Sequence, residues 1–216
     1  MDEILQRIAN LINEKENRII IGISGHGASG KTTFSNKLMK LLKQNDINYM
    51  NTDPYIIGSN LRKYAAIDYE FKQRKHHYKM TACHPAAHNL LALERDINMI
   101  REGLDLYTIE THYMESTLLA SHNNVTIVEG MSVAFCNPDL FDLTIYFYTD
   151  GETEFMRRSD RDVSERGAVI NYLRDSHKER RIQYELFMHP YHRYFDIVIR
   201  NSNEAVIVEK NLFNQY

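Results

Sequence analysis

Apolar residues follow two rhythms along the 216-residue chain. Leu5, Ile8, Leu11 and Ile12 recur at three- and four-residue intervals, which predicts an amphipathic helix over 2–15. Ile19, Ile20 and Ile21, with Ile23 after Gly22, form an apolar run too short for a helix and predict a buried strand. Helical spacing returns at Phe34, Leu38, Leu41 and Leu42, predicting a helix over 33–45. Asn45 and Asp46 then mark a turn into a second strand over 47–52. His84-Pro85 opens a helix with Leu90, Leu91, Leu93, Ile97 and Ile100 on one side and Gly103 as its stop. Further strands are predicted at 125–128, 143–148 and 195–199. Residues 55–80 show no clean period and read as a partly helical excursion, while 104–115 alternate weakly, as a short hairpin or flap would. Five strands separated by helices imply a parallel sheet covered on both faces, the α/β class.

Composition narrows the picture. The length suits one well-buried domain over 1–216, and no repeat or low-complexity tract marks a boundary. With 26 Lys and Arg against 29 Asp and Glu, there is no basic excess of the kind nucleic-acid binding needs. The run Lys72, Arg74, Lys75, His76, His77 reads as a solvated face. Cys83 and Cys136 are far apart and outside any C-x-x-C pattern, so neither zinc nor a disulfide framework is expected. No apolar run reaches the length of a membrane span and the N-terminal residues carry acids. The expectation is a cytoplasmic protein with no nucleic-acid or membrane partner and room for a homo-oligomer.

The first strand runs into Gly25-His26-Gly27-Ala28-Ser29-Gly30-Lys31-Thr32, a match to G-x-x-x-x-G-K-[ST] in the strand–loop–helix context that motif needs. Glycines let the backbone wrap a phosphate, and the helix that follows presents its positive end to the anion. Gly25, Gly27, Ala28, Ser29, Gly30, Lys31, Thr32 and Thr33 are therefore candidate nucleotide ligands, with Lys31 on the β/γ-phosphates and the Thr32 hydroxyl on Mg²⁺. Glu129, at the end of the 125–128 strand, is placed as a Walker-B acid that orders the metal's water shell. Asp53 ends the second strand, at the edge of an open sheet where ligands bind. The arginines of 157–167 are nearly balanced by Asp160, Asp162 and Glu165, so by composition alone that segment is equally a salt-bridged exposed helix.

Taken in order, these motifs resemble the uridine kinase and phosphoribulokinase family. The resemblance rests on the P-loop, on T-D-P-Y at 52–55, on H-P-A-A at 84–87, on V-E-G at 128–130, and on R-R-x-x-R-D-x-S-E-R-G at 157–167. It implies the three-layer P-loop nucleoside triphosphate hydrolase fold, a substrate-side excursion over 54–115, and a lid at 157–167 whose arginines close over the transferred group. It also implies ATP and Mg²⁺. Asp53 then accepts the proton of the acceptor hydroxyl, Arg158 contacts phosphate and substrate, and Arg161 and Arg166 act in catalysis. Tyr55, Cys83, His84, Tyr107 and His112 fall in the implied acceptor site. Uridine kinases carry Asn-Phe-Asp before the His-Pro, and that Asp holds the ribose hydroxyls; here the matching residues are Thr81-Ala82-Cys83. Tyr107 and His112 keep the five-residue spacing of the family's base-contacting pair.

The expected activity is transfer of the γ-phosphoryl group of ATP to a hydroxyl of a small metabolite, with a nucleoside as first acceptor. Pantothenate, a pyridine riboside or a sugar phosphate are alternatives. A nucleotide-dependent regulator without an acceptor is the reading from another class, although the guanine-reading N-K-x-D is not in the sequence.

Overall fold

The run Ile19–Gly25 forms strand β1, buried along its whole length. Its alternate side chains enter two different cores. Ile19, Ile21 and Ile23 pack with Ile4, Leu5, Ile8 and Ile12 of helix α1 (Asp2–Asn13) and with Phe34 and Leu38 of α2 (Lys31–Leu41). Ile20 joins the opposite core, with Leu93, Ile97 and Ile100 of a helix later in the chain. Burial on both faces is why the run is continuously apolar.

The computed structural model describes residues 1–15, 17–42, 47–166, 170–203 and 205–212; the side chains of 161–166, 170–173 and 175 are outside that description. The predicted turn at Asn45-Asp46 and the lid's Gly167 lie outside the described residues. After β2 (Ile47–Asn51) come a short helix, α3 (Ser59–Arg62), and a hairpin of β3 (Ala66–Phe71) and β4 (Arg74–Lys79). Helix α4 (Leu90–Arg101) and a ribbon of β5 (Leu106–Tyr107) and β6 (Leu118–Leu119) precede β7 (Val125–Glu129) and β8 (Leu143–Tyr148). Helices α5 (Gly151–Arg166) and α6 (Ile170–Gln183) then lead to β9 (Ile197–Asn201) and β10 (Val206–Asn211). The main sheet has the order β10-β9-β8-β1-β7-β2. All its pairings are parallel except β9 with β10. Helices on both faces make it the three-layer α/β P-loop fold, and the ends of β1, β2, β7 and β8 open on one edge.

The five expected strands are all present, and four details differ from expectation. The edge strand β10 is a sixth member, antiparallel to the rest. Part of the excursion expected to be partly helical is the β3–β4 hairpin. The fourth helix starts at Leu90, not at His84-Pro85: Pro85–Ala87 is a 3-10 turn, and the Asn89 side chain accepts from the Ala92 N–H as the N-cap of α4. Gly103, at φ +76, ends α4 as expected. The flap exists, but its strand partner for 106–107 is 118–119, beyond the expected limit.

Candidate active site

The loop from Gly25 to Gly30 is held by glycine geometry and by its own side chains. Gly25 sits at φ +139, where a Cβ would lie 1.9 Å from the Phe147 carbonyl oxygen, so no other residue fits. Gly30 (φ 103) caps α2, and Ala28 adopts a left-handed φ of 64 between them. Ser29 donates through Oγ to the His26 carbonyl at 2.8 Å. Among the described residues, the backbone N–H groups from Gly27 to Thr33 have no acceptor within the chain. Unpaired donors at the start of a helix form an anion cradle.

Lys31 is the first residue of α2 and is 8% exposed. Its ammonium donates to the His26 carbonyl at 3.1 Å and stands 3.9 Å from Oε1 of Glu129. Glu129, 3% exposed at the end of β7, accepts from Thr32 Oγ1 at 2.9 Å and from the Tyr49 hydroxyl at 2.7 Å, both on Oε2. Burial and the Glu129 charge push the Tyr49 phenol far above its ordinary range, so it acts as a fixed donor. A hydroxyl beside a buried carboxylate is a hard-oxygen donor pair of the type Mg²⁺ uses when phosphates complete its shell, so the residues fit that ion. Gly130 follows at φ 150 and ψ −177, and its N–H donates to the Ile23 carbonyl at 3.0 Å.

His26 occupies a position the motif leaves open, and nothing in the sequence pattern singles it out. Its imidazole is buried, with the Nδ1–H on the Gly27 carbonyl at 2.8 Å and Nε2 accepting from the Thr149 N–H at 2.9 Å. These bonds fix one neutral tautomer, and burial lowers its pKa to about 4. Glu154, 1% exposed, lies 3.6 Å from Nδ1 and pairs with Arg158 at 3.5 Å and Arg181 at 3.3 Å. Burial opposes ionisation of Glu154, but the surrounding positive groups outweigh it and hold the carboxyl below the usual range. Arg158 thus stands beside Gly27, next to the cradle.

A cleft of about 570 Å³ continues from the loop, lined by Ala28, Lys31, Thr32, Thr33, Arg157 and Asn201 among others. Arg157 donates to the carbonyls of Ala28 and Asn201 at 3.3 and 3.0 Å, and Asn201 Nδ2 donates to the Ser29 carbonyl at 2.9 Å. The expected lid is the second half of one continuous helix, α5; the side chains of Arg161 and Arg166 lie outside the described residues.

On the acceptor side, Asp53 is exposed just past β2, its N–H held by the Asn51 side chain at 2.8 Å. Tyr55 is buried, and its hydroxyl donates to Asp96. Cys83 is buried in the same core, and burial pushes its thiol up to about 11. His84 accepts from the Ala86 N–H through Nδ1 at 3.2 Å and stands edge-on to Phe187. Tyr107 and His112 are exposed on the β5–β6 ribbon, and the ring contact of His112 is with Tyr113. The structure therefore gathers Lys31, Thr32 and Glu129 at one point, with Arg158 beside Gly27 of the same loop. No hydrogen bond or ring contact joins Tyr107 to His112 among the described residues.

Comparison with known proteins agrees with this fold. A uridine kinase of Lactobacillus helveticus is 30% identical over 210 residues, covering 90% of this chain and 92% of the relative. A uridine kinase of Ligilactobacillus salivarius is 29% identical over 206 residues, covering 90% of each. Among solved structures, the phosphoribulokinase from Rhodobacter spheroides superposes with a TM-score of 0.58 at 19% identity, covering 86% of this chain and 71% of that one. D-glycerate 3-kinase from Cryptococcus neoformans superposes with a TM-score of 0.58 at 10% identity, covering 95% and 96%. The profile of the Phosphoribulokinase / Uridine kinase family matches residues 20–207, and the chain belongs to that family of P-loop kinases.

Proposed function

We propose that the protein is an ATP-dependent kinase that transfers the γ-phosphoryl group to a hydroxyl of a small, ribose-like metabolite, with a nucleoside as first candidate. The observation that carries the reading is the run of unpaired N–H groups from Gly27 to Thr33, with Lys31 and the Thr32–Glu129 pair beside it. The uridine kinase relatives support a nucleoside acceptor.

In this reading the loop N–H groups and Lys31 hold the β- and γ-phosphates, and Arg158 is close enough to join them by leaving Glu154. Thr32, with Glu129 behind it, would hold Mg²⁺, which would supply neutralising charge when bound. The acceptor oxygen forms its bond to the γ-phosphorus as the bond to the β–γ bridging oxygen breaks, and ADP leaves. Asp53 orients the acceptor hydroxyl and takes its proton late, when bond formation has made that proton acidic. Arg161 and Arg166 of α5 add positive charge as the substrates come together, so replacing either by Ala lowers kcat more than it weakens ATP binding. The whole chain acts as one kinase domain, with 54–115 on the acceptor side. The test is transfer from γ-labelled ATP to a panel of alcohols by the wild type and Asp53→Asn. Label on an alcohol, lost in the variant with ATP still bound, supports the proposal; label released only as inorganic phosphate overturns it.

A further inference from the structure

The two oxygens of the buried Glu154 carboxylate face different kinds of partner. Oε2 belongs to a closed ring of contacts. Arg181 Nη1 stands 3.3 Å from it and donates to the Thr149 carbonyl at 2.9 Å; the Thr149 N–H donates to Nε2 of His26 at 2.9 Å; and Nδ1 of His26 returns to within 3.6 Å of Oε2. Arg181 is held further by Glu185 at 3.4 Å and by the ring of Tyr184, 4.6 Å from its guanidinium. The ring of contacts joins the phosphate loop, the end of β8 and α6 to the start of α5.

Oε1 looks toward the cradle. Its partner is Arg158, one turn further along α5, whose Nη1 lies 3.5 Å from Oε1 and 3.8 Å from the place a Cβ on Gly27 would take. The guanidinium therefore stands between a buried carboxylate and the loop that receives phosphate. The Glu154 side chain is 2% exposed and that of Arg158 14%, so water and salt screen their attraction little. At 3.5 Å the contact is longer than the about 2.7–2.9 Å of a charge-assisted hydrogen bond, a distance that a phosphate oxygen on the loop can offer. When Arg158 crosses to the phosphate, Glu154 keeps Arg181, so its charge is not stranded in the interior. A carboxylate that holds the guanidinium in the empty site and yields it in the filled one opposes filling, because only the difference between the two states shifts the equilibrium.

We infer that Glu154 is a positioning residue that competes with bound phosphates for Arg158, holding the guanidinium back while the loop is empty and reclaiming it as the nucleotide leaves. This rests on the nucleotide site of the kinase reading and goes beyond it: Glu154 weakens nucleotide binding and so eases the release of ADP.

The experiment is calorimetric titration of the folded protein with β,γ-imido-ATP and with ADP, both in Mg²⁺. Glu154→Gln keeps the shape and removes the charge. It should bind the imido analogue about tenfold tighter and ADP at least about threefold tighter, the scale of one charge-assisted contact. A part that only supported the fold would weaken both ligands on removal, so the sign of the shift separates the two roles. In an Arg158→Gln background the same substitution should move neither affinity by more than about twofold, since Glu154 acts through that guanidinium. Glu154→Asp, which keeps the charge and draws it back from Arg158 by one methylene, should tighten both ligands by less; it carries the test if Glu154→Gln does not unfold cooperatively. Unchanged or weaker binding of either ligand in the folded variant, or an equal shift with Arg158 already replaced, overturns the inference while the kinase reading stands. A folded wild type that binds neither ligand removes both, whereas tightened binding without label transfer to any alcohol removes the kinase reading alone.

Discussion

Thr32 Oγ1 lies 2.9 Å from Oε2 of Glu129, a bond between the first turn of α2 and the end of β7, 97 residues apart in sequence. The same carboxylate oxygen takes the Tyr49 hydroxyl from β2, so three neighbouring elements fix its direction. Orientation of this kind decides how well a metal ligand works. Glu129→Gln should raise the Mg²⁺ concentration for half-maximal activity about tenfold or more and lower kcat. Tyr49→Phe, which removes one donor and leaves the charge, should move it in the same direction by less. A metal titration of steady-state turnover reads both; an unshifted requirement in Glu129→Gln would place the metal elsewhere.

Buried histidines make the fold acid-sensitive. His26 and His88 sit at about 4 in the folded chain, chiefly because burial disfavours the cation, and at about 6.5 when exposed. Between those values the unfolded chain binds more protons than the folded one, so stability rises with pH through that window. It is complete above about 6.5 and falls as pH drops toward 4. Each imidazole should remove about 2 kcal/mol between pH 7 and 5. His26→Leu should flatten that slope, and by leaving the Thr149 N–H unpaired it should cost about 1–3 kcal/mol at pH 7. Urea midpoints across the pH series measure both effects. A wild type equally stable at pH 5 and 7 would contradict the neutral, buried assignment.

Some of this was legible in the sequence and some was not, for physical reasons. Buried parallel strands are apolar on both faces, so β1, β7 and β8 stand out. The edge strand β10 carries Val206, Ile207 and Val208 all exposed, a pattern with neither alternation nor burial. The β3–β4 hairpin turns at Lys72 and Gln73, both at positive φ, where Gly or Asn would have signalled the turn. In β3 the half-buried Ile67, Tyr69 and Phe71 alternate with exposed Asp68 and Glu70, whereas the half-buried positions of β4 are His76, Tyr78 and Lys79, so polar residues obscure the period in that strand alone. In the site, the loop's fixed positions and Glu129 were readable because spacing alone places them. His26 was not, because the motif leaves its position free; nor was Glu154, whose partners lie on the loop, on its own helix and on α6.

Gly130 supplies a backbone that other residues cannot. At φ 150 and ψ −177 it occupies a region open essentially to glycine, and a Cβ there would lie 2.0 Å from Thr52 Oγ1. Gly130→Ala should cost at least about 1–3 kcal/mol and displace Glu129 next to it. Adding Thr52→Ala should recover only part, since it relieves the contact and not the dihedral. Denaturant unfolding of the single and double variants checks this; a neutral single variant would show that the segment relaxes freely.

If the loop with Lys31 delivers phosphate to an alcohol, removal of the Lys31 ammonium must stop transfer. Because Lys31 is buried against Glu129, Lys31→Ala should lose some stability as well as activity, so folding must be confirmed by cooperative unfolding before turnover is read. The decisive measurement is transfer of label from γ-labelled ATP to the best alcohol of the panel, in wild type and Lys31→Ala side by side. The wild type should yield a labelled phosphate ester, and the folded variant should do so at a rate at least about a hundredfold lower. Turnover near the wild-type rate in Lys31→Ala would contradict that role of the loop.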